Sequence, residues 1–146
     1  MILVGDIGGT RTPLALFGSA RNQWLIQFTA TYPSKNYASL EKLIQLFLVQ
    51  ARSQQAIPAA VGVSGAIIQT KCELTTNLPW IITVAQLQPQ FQTAKVFLIN
   101  ELEAMGTDIP HLPSAKLIAL NPIAIIQPNN KTLIAAGTDL DEGLLY

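Results

Sequence analysis

Short apolar runs alternate with turn residues through the first thirty positions, and the apolar spacing then changes to a helical one. Residues 2–4 (Ile-Leu-Val) form a buried-strand pattern that runs into Gly5-Asp6-Ile7-Gly8-Gly9-Thr10, and residues 13–17 resume it, so the two halves can pair as a hairpin across the glycines. Residues 24–32, rich in β-branched and aromatic side chains, predict a third strand entered through a turn at Asn22. Within 37–53, Leu40, Leu43, Ile44, Phe47 and Leu48 recur at three- and four-residue spacing, the single apolar stripe of a helix, with Ser39 as its candidate N-cap. Pro58 breaks the chain before residues 59–63, which read as a fully buried strand. Two short runs, 67–69 and 71–74, suit a hairpin about Thr70, and Pro79 marks a loop over 77–80. Thr83 is placed to cap a short helix over 84–91 that Pro89 interrupts. Residues 95–99 read as another buried strand, which delivers Asn100 and Glu101 at its C-terminal end. A helix over 101–107 follows, with Leu102 and Met105 toward the core. Beyond Pro110, residues 116–120 and 132–136 read as strands, and 144–146 as the start of one more.

Composition sharpens this pattern. The chain of 146 residues is long enough for one domain of ordinary size, and it is 49% hydrophobic but only 12% charged, where about 25% charged is usual. Such an apolar load predicts either a dominant core or an apolar surface that meets a partner, and the late apolar strands make a homo-oligomer one expectation. No apolar run approaches the ~18 residues of a membrane-spanning helix, and the N-terminus lacks the basic start and cleavage site of a signal peptide. The expected compartment is cytoplasmic, with no membrane partner. The single cysteine, Cys72, has no internal disulfide partner. Nine basic residues balance nine acidic ones without clustering, which argues against a nucleic-acid partner.

Candidate chemistry concentrates in the first turn. Glycine takes positive φ without steric cost and allows close approach of another backbone or a ligand, and successive N–H groups around such a turn can form an anion-binding concavity. Asp6, at the strand end, can hold a cation or water beside a bound phosphate, and Thr10 adds a hydroxyl. The same stretch reads equally well as an ordinary glycine hairpin, and Arg11 can either meet a phosphate or face water. Met105 and Trp80 read as packing residues, Glu103 as solvent-facing, and His111 as a loop residue with no second histidine to share a metal.

Three strands, helix, strand, helix, strand, helix is an order similar to the ribonuclease-H-like fold of sugar kinases and actin-like ATPases. Four stretches, in order, resemble the bacterial ATP-dependent glucokinase family: Gly5-Asp6-Ile7-Gly8-Gly9-Thr10; Gly62-Val63-Ser64-Gly65-Ala66 followed by Leu74-Thr75-Thr76-Asn77-Leu78-Pro79-Trp80; Leu98-Ile99-Asn100-Glu101-Leu102-Glu103-Ala104; and Ala135-Ala136-Gly137-Thr138. The resemblance covers nearly the whole chain. It implies an α/β fold in which three antiparallel strands are extended by parallel strands with flanking helices. Residues 1–110 would form the small N-terminal domain, and 111–146 the truncated beginning of a second, larger one. It implies ATP and Mg2+ as cofactors and glucose or a related hexose as partner, with phosphoryl transfer to the sugar 6-hydroxyl giving glucose 6-phosphate. Carried onto this chain, it implies that Gly5, Asp6, Ile7, Gly8, Gly9, Thr10, Gly137 and Thr138 approach the ATP phosphates, with Asp6 holding magnesium through water. It further implies that Asn77, Asn100, Glu101 and Gly137 face the sugar, and that Glu101 is the general base.

Two departures and one boundary modify the expectation. The family carries aspartate where this chain has Glu101, and the extra methylene moves the carboxylate by roughly 1 Å, enough to change a rate on the order of 10²-fold. Asp139-Leu140-Asp141 stands where the family has a glycine-rich second phosphate turn, and most of the second domain would follow residue 146. The expectation is therefore that this length of chain has little turnover of its own. Two other readings stay open: a non-catalytic relative that binds sugar weakly or associates with another chain, and a metal-dependent nuclease using Asp6, Glu101 and Asp139 or Asp141.

Overall fold

The computed structural model describes residues 1–21, 23–53, 57–72, 78–121, 123, 131–136 and 140–145. The chain divides into two compact units, Met1–Glu101 and Leu102–Tyr146, so the division falls before the expected one at 110. Leu102 is drawn into the second unit, where its side chain lies within about 3.0 Å of the space a Cβ on Gly143 would occupy.

In the first unit, β1 (Ile2–Ile7), β2 (Arg11–Ala20) and β3 (Gln23–Pro33) form an antiparallel meander. A 3-10 turn (Ser34–Asn36) leads to α1 (Leu40–Gln50). Then come β4 (Ala59–Val63), a small sheet of β5 (Ile67–Ile68), β6 (Lys71–Cys72) and β7 (Ile82–Thr83), α2 (Val84–Phe91) and β8 (Val96–Asn100). The main sheet has the order β3-β2-β1-β4-β8, with β4 parallel to both β1 and β8. Its alternation is clean: Leu3, Gly5 and Ile7 of β1 and Ala59, Val61 and Val63 of β4 are buried, whereas the residues between them are more open. The buried set closes with Leu40, Leu43, Ile44 and Phe47 of α1 and Leu87 and Phe91 of α2, and the Phe28 and Phe47 rings meet at 5.2 Å. Full burial of a ring such as Phe47 is worth about 3 kcal/mol.

Several expectations need correction. Ser39 occupies the N-cap of α1 in an extended conformation, but its side chain makes no capping bond; its carbonyl accepts from Leu43 N–H at 3.4 Å. Thr83 does cap α2, accepting from Gln86 N–H at 3.2 Å, and Pro89 sits inside that helix without interrupting it. The turn between β5 and β6 is Gln69-Thr70, both at positive φ, rather than Thr70 alone. The strand β8 is not fully buried: it closes one side of the sheet, and Phe97 is 63% exposed. Asn22 and the end of the expected 71–74 run, Glu73 and Leu74, lie outside the described residues.

The second unit contains α3 (Glu101–Asp108) from Leu102 onward, 3-10 turns at Ile109–His111 and Ser114–Lys116, and an antiparallel hairpin of β9 (Lys131–Ala136) and β10 (Leu140–Leu145). No strand forms over 116–120; Ile118 and Leu120 are 88% and 97% exposed. Met105 is 38% exposed and not among the buried core residues, whereas Glu103 is solvent-facing as expected. The expected start of a strand at 144–146 is β10 itself, which begins earlier, at Leu140. Among the described residues, no helix is long and apolar enough to cross a membrane.

Candidate active site

Parallel strands present their C-terminal ends on one side of a sheet, where the following loops converge. Here the register makes three of those ends level: Ile7 pairs with Val63, and Val63 pairs with Asn100. The segments that leave these ends are the glycine turn, Ser64-Gly65, and Asn100-Glu101. Three motifs far apart in sequence thus meet within the first unit.

The turn is built differently from its sequence expectation. No described glycine has positive φ, so Gly8 and Gly9 are not needed for left-handed backbone. Close approach explains Gly8, where a Cβ would stand 2.9 Å from the Arg11 carbonyl oxygen. The Gly8 N–H donates to the Arg11 carbonyl at 3.1 Å and is taken. The N–H groups of Gly9 and Thr10 and the Thr10 hydroxyl make no hydrogen bond to a described residue, so the turn's uncommitted donors reduce to these. Gly5 lies within the sheet beside Leu14, whose Cδ2 would be 2.6 Å from an added Cβ, and the Ile7 side chain is buried. Both shape the turn's approach from within the packed layer.

Across from the turn, the Ser64 hydroxyl donates to Glu101 Oε2 at 3.0 Å and lies 3.5 Å from the Ile7 carbonyl oxygen. Asn100 Nδ2 donates to the Gly65 carbonyl at 2.9 Å, fixing the carboxamide. Sequence reasoning used Ser64 only as part of a motif; its contact with Glu101 joins residues 37 apart and has no local signal. The Asp6 carboxyl is held above its ordinary pKa, first by the protein packed around it and second by the negative charge of Glu101. The two carboxylates therefore sense each other, although Asp6 keeps one side open to solvent. No described side chain or N–H donates to the Asp6 carboxylate. An oxygen-only site with a repelled, donor-poor carboxylate suits a hard divalent cation such as magnesium, bound largely through its own waters.

Trp80 is buried, with its indole N–H donating to the Tyr37 carbonyl at 3.2 Å, as a packing residue. Arg11 and His111 are exposed. Asn77, Gly137 and Thr138 lie outside the described residues, as do Asp139 and the Asp141 side chain. Among the described residues, no three of His, Cys, Asp and Glu gather as a metal cluster.

The sheet order and the converging strand ends define the actin-like ATPase fold of hexokinases and glucokinases. A hexokinase of the ROK class from Thermus thermophilus matches 99% of this chain and 46% of its own at TM-score 0.58 and 15% identity, a likeness of fold. The chain belongs to the glucokinase family, whose family model matches residues 3–146. It is 32% identical over 149 aligned positions to a glucokinase of Nostoc punctiforme, covering 99% of this chain and 42% of that protein. It is also similar to the crystal structure of a glucokinase from an Antarctic psychrotroph, at TM-score 0.76 and 26% identity over 99% of this chain and 45% of that one. The chain thus spans less than half the length of these relatives.

Proposed function

We propose that this chain carries the phosphate turn and the general base of a cytoplasmic, ATP-dependent glucose kinase that forms glucose 6-phosphate. The observation that supports this most directly is the meeting of the glycine turn, Asp6 and Glu101 at three level strand ends. In phosphoryl transfer the protein mainly positions reactants and stabilises charge, and a carboxylate accepts the hydroxyl proton. In this reading the Gly9 and Thr10 N–H groups meet phosphate oxygens of ATP. Asn100 orients the sugar, and Glu101, held by Ser64, accepts the proton of the 6-hydroxyl. Asp6 would hold magnesium through water, and that ion supplies neutralisation of the phosphate charge. Gly137, Thr138 and Asn77 belong to the proposal through the family alone.

The test combines binding and turnover on the purified chain. Titration calorimetry with magnesium–ATP and with glucose should show saturable binding. Glucose 6-phosphate formation, in whatever amount the wild type supports, should fall by about 10²- to 10⁴-fold in Glu101→Gln. Absence of both ATP and glucose binding, or turnover unchanged by Glu101→Gln, refutes the proposal.

A second reading, association with another copy, draws on β3, which has no outer neighbour strand among the described residues and where Trp24, Leu25 and Ile26 are exposed. Light scattering decides it: a monomer across the micromolar range excludes it.

A further inference from the structure

An anion-binding turn must do two things with its backbone: aim N–H groups at the ligand and turn its carbonyl oxygens away. The second task is performed here by a residue outside the turn. Ser34, the first residue of the 3-10 turn after β3, takes two of the turn's carbonyls. Its hydroxyl donates to the Gly8 carbonyl at 2.7 Å, and its N–H donates to the Thr10 carbonyl at 3.0 Å. Because the one hydroxyl proton of Ser34 goes to Gly8, the 2.9 Å contact between the Thr12 and Ser34 hydroxyls has Thr12 as donor. Both side chains are 0% exposed, and they are the buried polar side chains among the described residues.

Burying two hydroxyls in an otherwise apolar layer confers little net stability, since apolar groups of the same shape would pack as well. What the pair does confer is direction: a relay from Thr12 through Ser34 to Gly8 that fixes which way the turn faces. We infer that Ser34 and Thr12 are positioning residues for the phosphate turn, holding the Gly8 and Thr10 carbonyls back so that the Gly9 and Thr10 N–H groups face the anion. The inference rests on the proposed function only for the identity of that anion, a nucleotide phosphate; the relay itself is independent of it.

The experiment crosses shape against chemistry on the full chain. Thr12→Val keeps the side chain's shape and removes the donor, Thr12→Ser keeps the donor and removes a methyl, and Ser34→Ala removes the relay. Amide hydrogen exchange without nucleotide reads the turn through Gly8 N–H and Ser34 N–H, with the amides of β4 as internal reference. In Thr12→Val and Ser34→Ala, the Gly8 amide should exchange about 2- to 10-fold faster relative to β4, the loss expected for one hydrogen bond. In Thr12→Ser it should follow β4, whatever happens to global stability. Magnesium–ATP affinity should fall in the same two variants and recover in Thr12→Ser. Gly8 exchange that tracks β4 in every variant, or that rises most in Thr12→Ser, overturns the inference. Wild-type protein that binds no ATP refutes the proposed ligand, while the exchange ratios still decide the relay.

Discussion

The two units make opposite use of similarly apolar sequence. In Met1–Glu101 apolar residues stack between the five-stranded sheet and the helices α1 and α2, and nineteen hydrophobic side chains among the described residues are buried. In Leu102–Tyr146 the only buried residue among those described is Gly106, and Leu117, Ile118, Leu120, Ile123 and Ile134 face outward. An apolar run becomes a structural element only when a second layer covers it. The runs at 59–63 and 116–120 look alike in sequence, and among the described residues the first has strands on both sides while the second has none.

The contrast can be broken most decisively by truncating side chains in each unit. Phe47→Ala should cost about 3–5 kcal/mol in urea unfolding, whereas Ile118→Ser should stay within about 0.5 kcal/mol; comparable losses would erase the distinction. Hydrogen exchange should sharpen it next. Amides of β4 should exchange slower than those of the two-stranded β9–β10 hairpin by on the order of 10²-fold or more. Thr83→Ala, which removes the cap of α2, should lower stability by about 1 kcal/mol, provided that stability resides in the first unit. The smallest effect concerns Asp6. Its folded-state pKa lies above the unfolded value, so its contribution is fully present below the unfolded pKa and is lost as pH rises through the folded one. Asp6→Asn should therefore raise Tm modestly at pH 7, with the gain vanishing below about pH 4, as read by thermal scans at both pH values.

Local pattern carried much of the fold. The α1 stripe, the β4 run and the Thr83 cap were legible because each depends on spacing within one element. The three meander strands were legible for the same reason, since their alternation repeats without help from distant residues. Features that need two distant segments were not. Ser34 is an ordinary turn serine until Gly8 lies against it, and Ser64 acquires a role only when β4 and β8 align. Of the two reasons the sequence offered for the Gly8-Gly9 pair, close approach of another backbone holds at Gly8, where the Arg11 carbonyl crowds in, and left-handed backbone does not. Residues 116–120 misled because hydropathy records a side chain's preference and not the presence of a neighbour to satisfy it.

The pairing of Val63 with Ile7 on one flank and Asn100 on the other has an evolutionary corollary. Loops grafted after these strands can lengthen or change composition freely, because their starting points are set beneath them. One residue gained or lost between Ala59 and Val63 would instead invert which side chains face inward and pull the serine, the asparagine and the glutamate out of step with the glycines. The middle strand is thus a spacer of fixed length, and selection on it would act through length before identity.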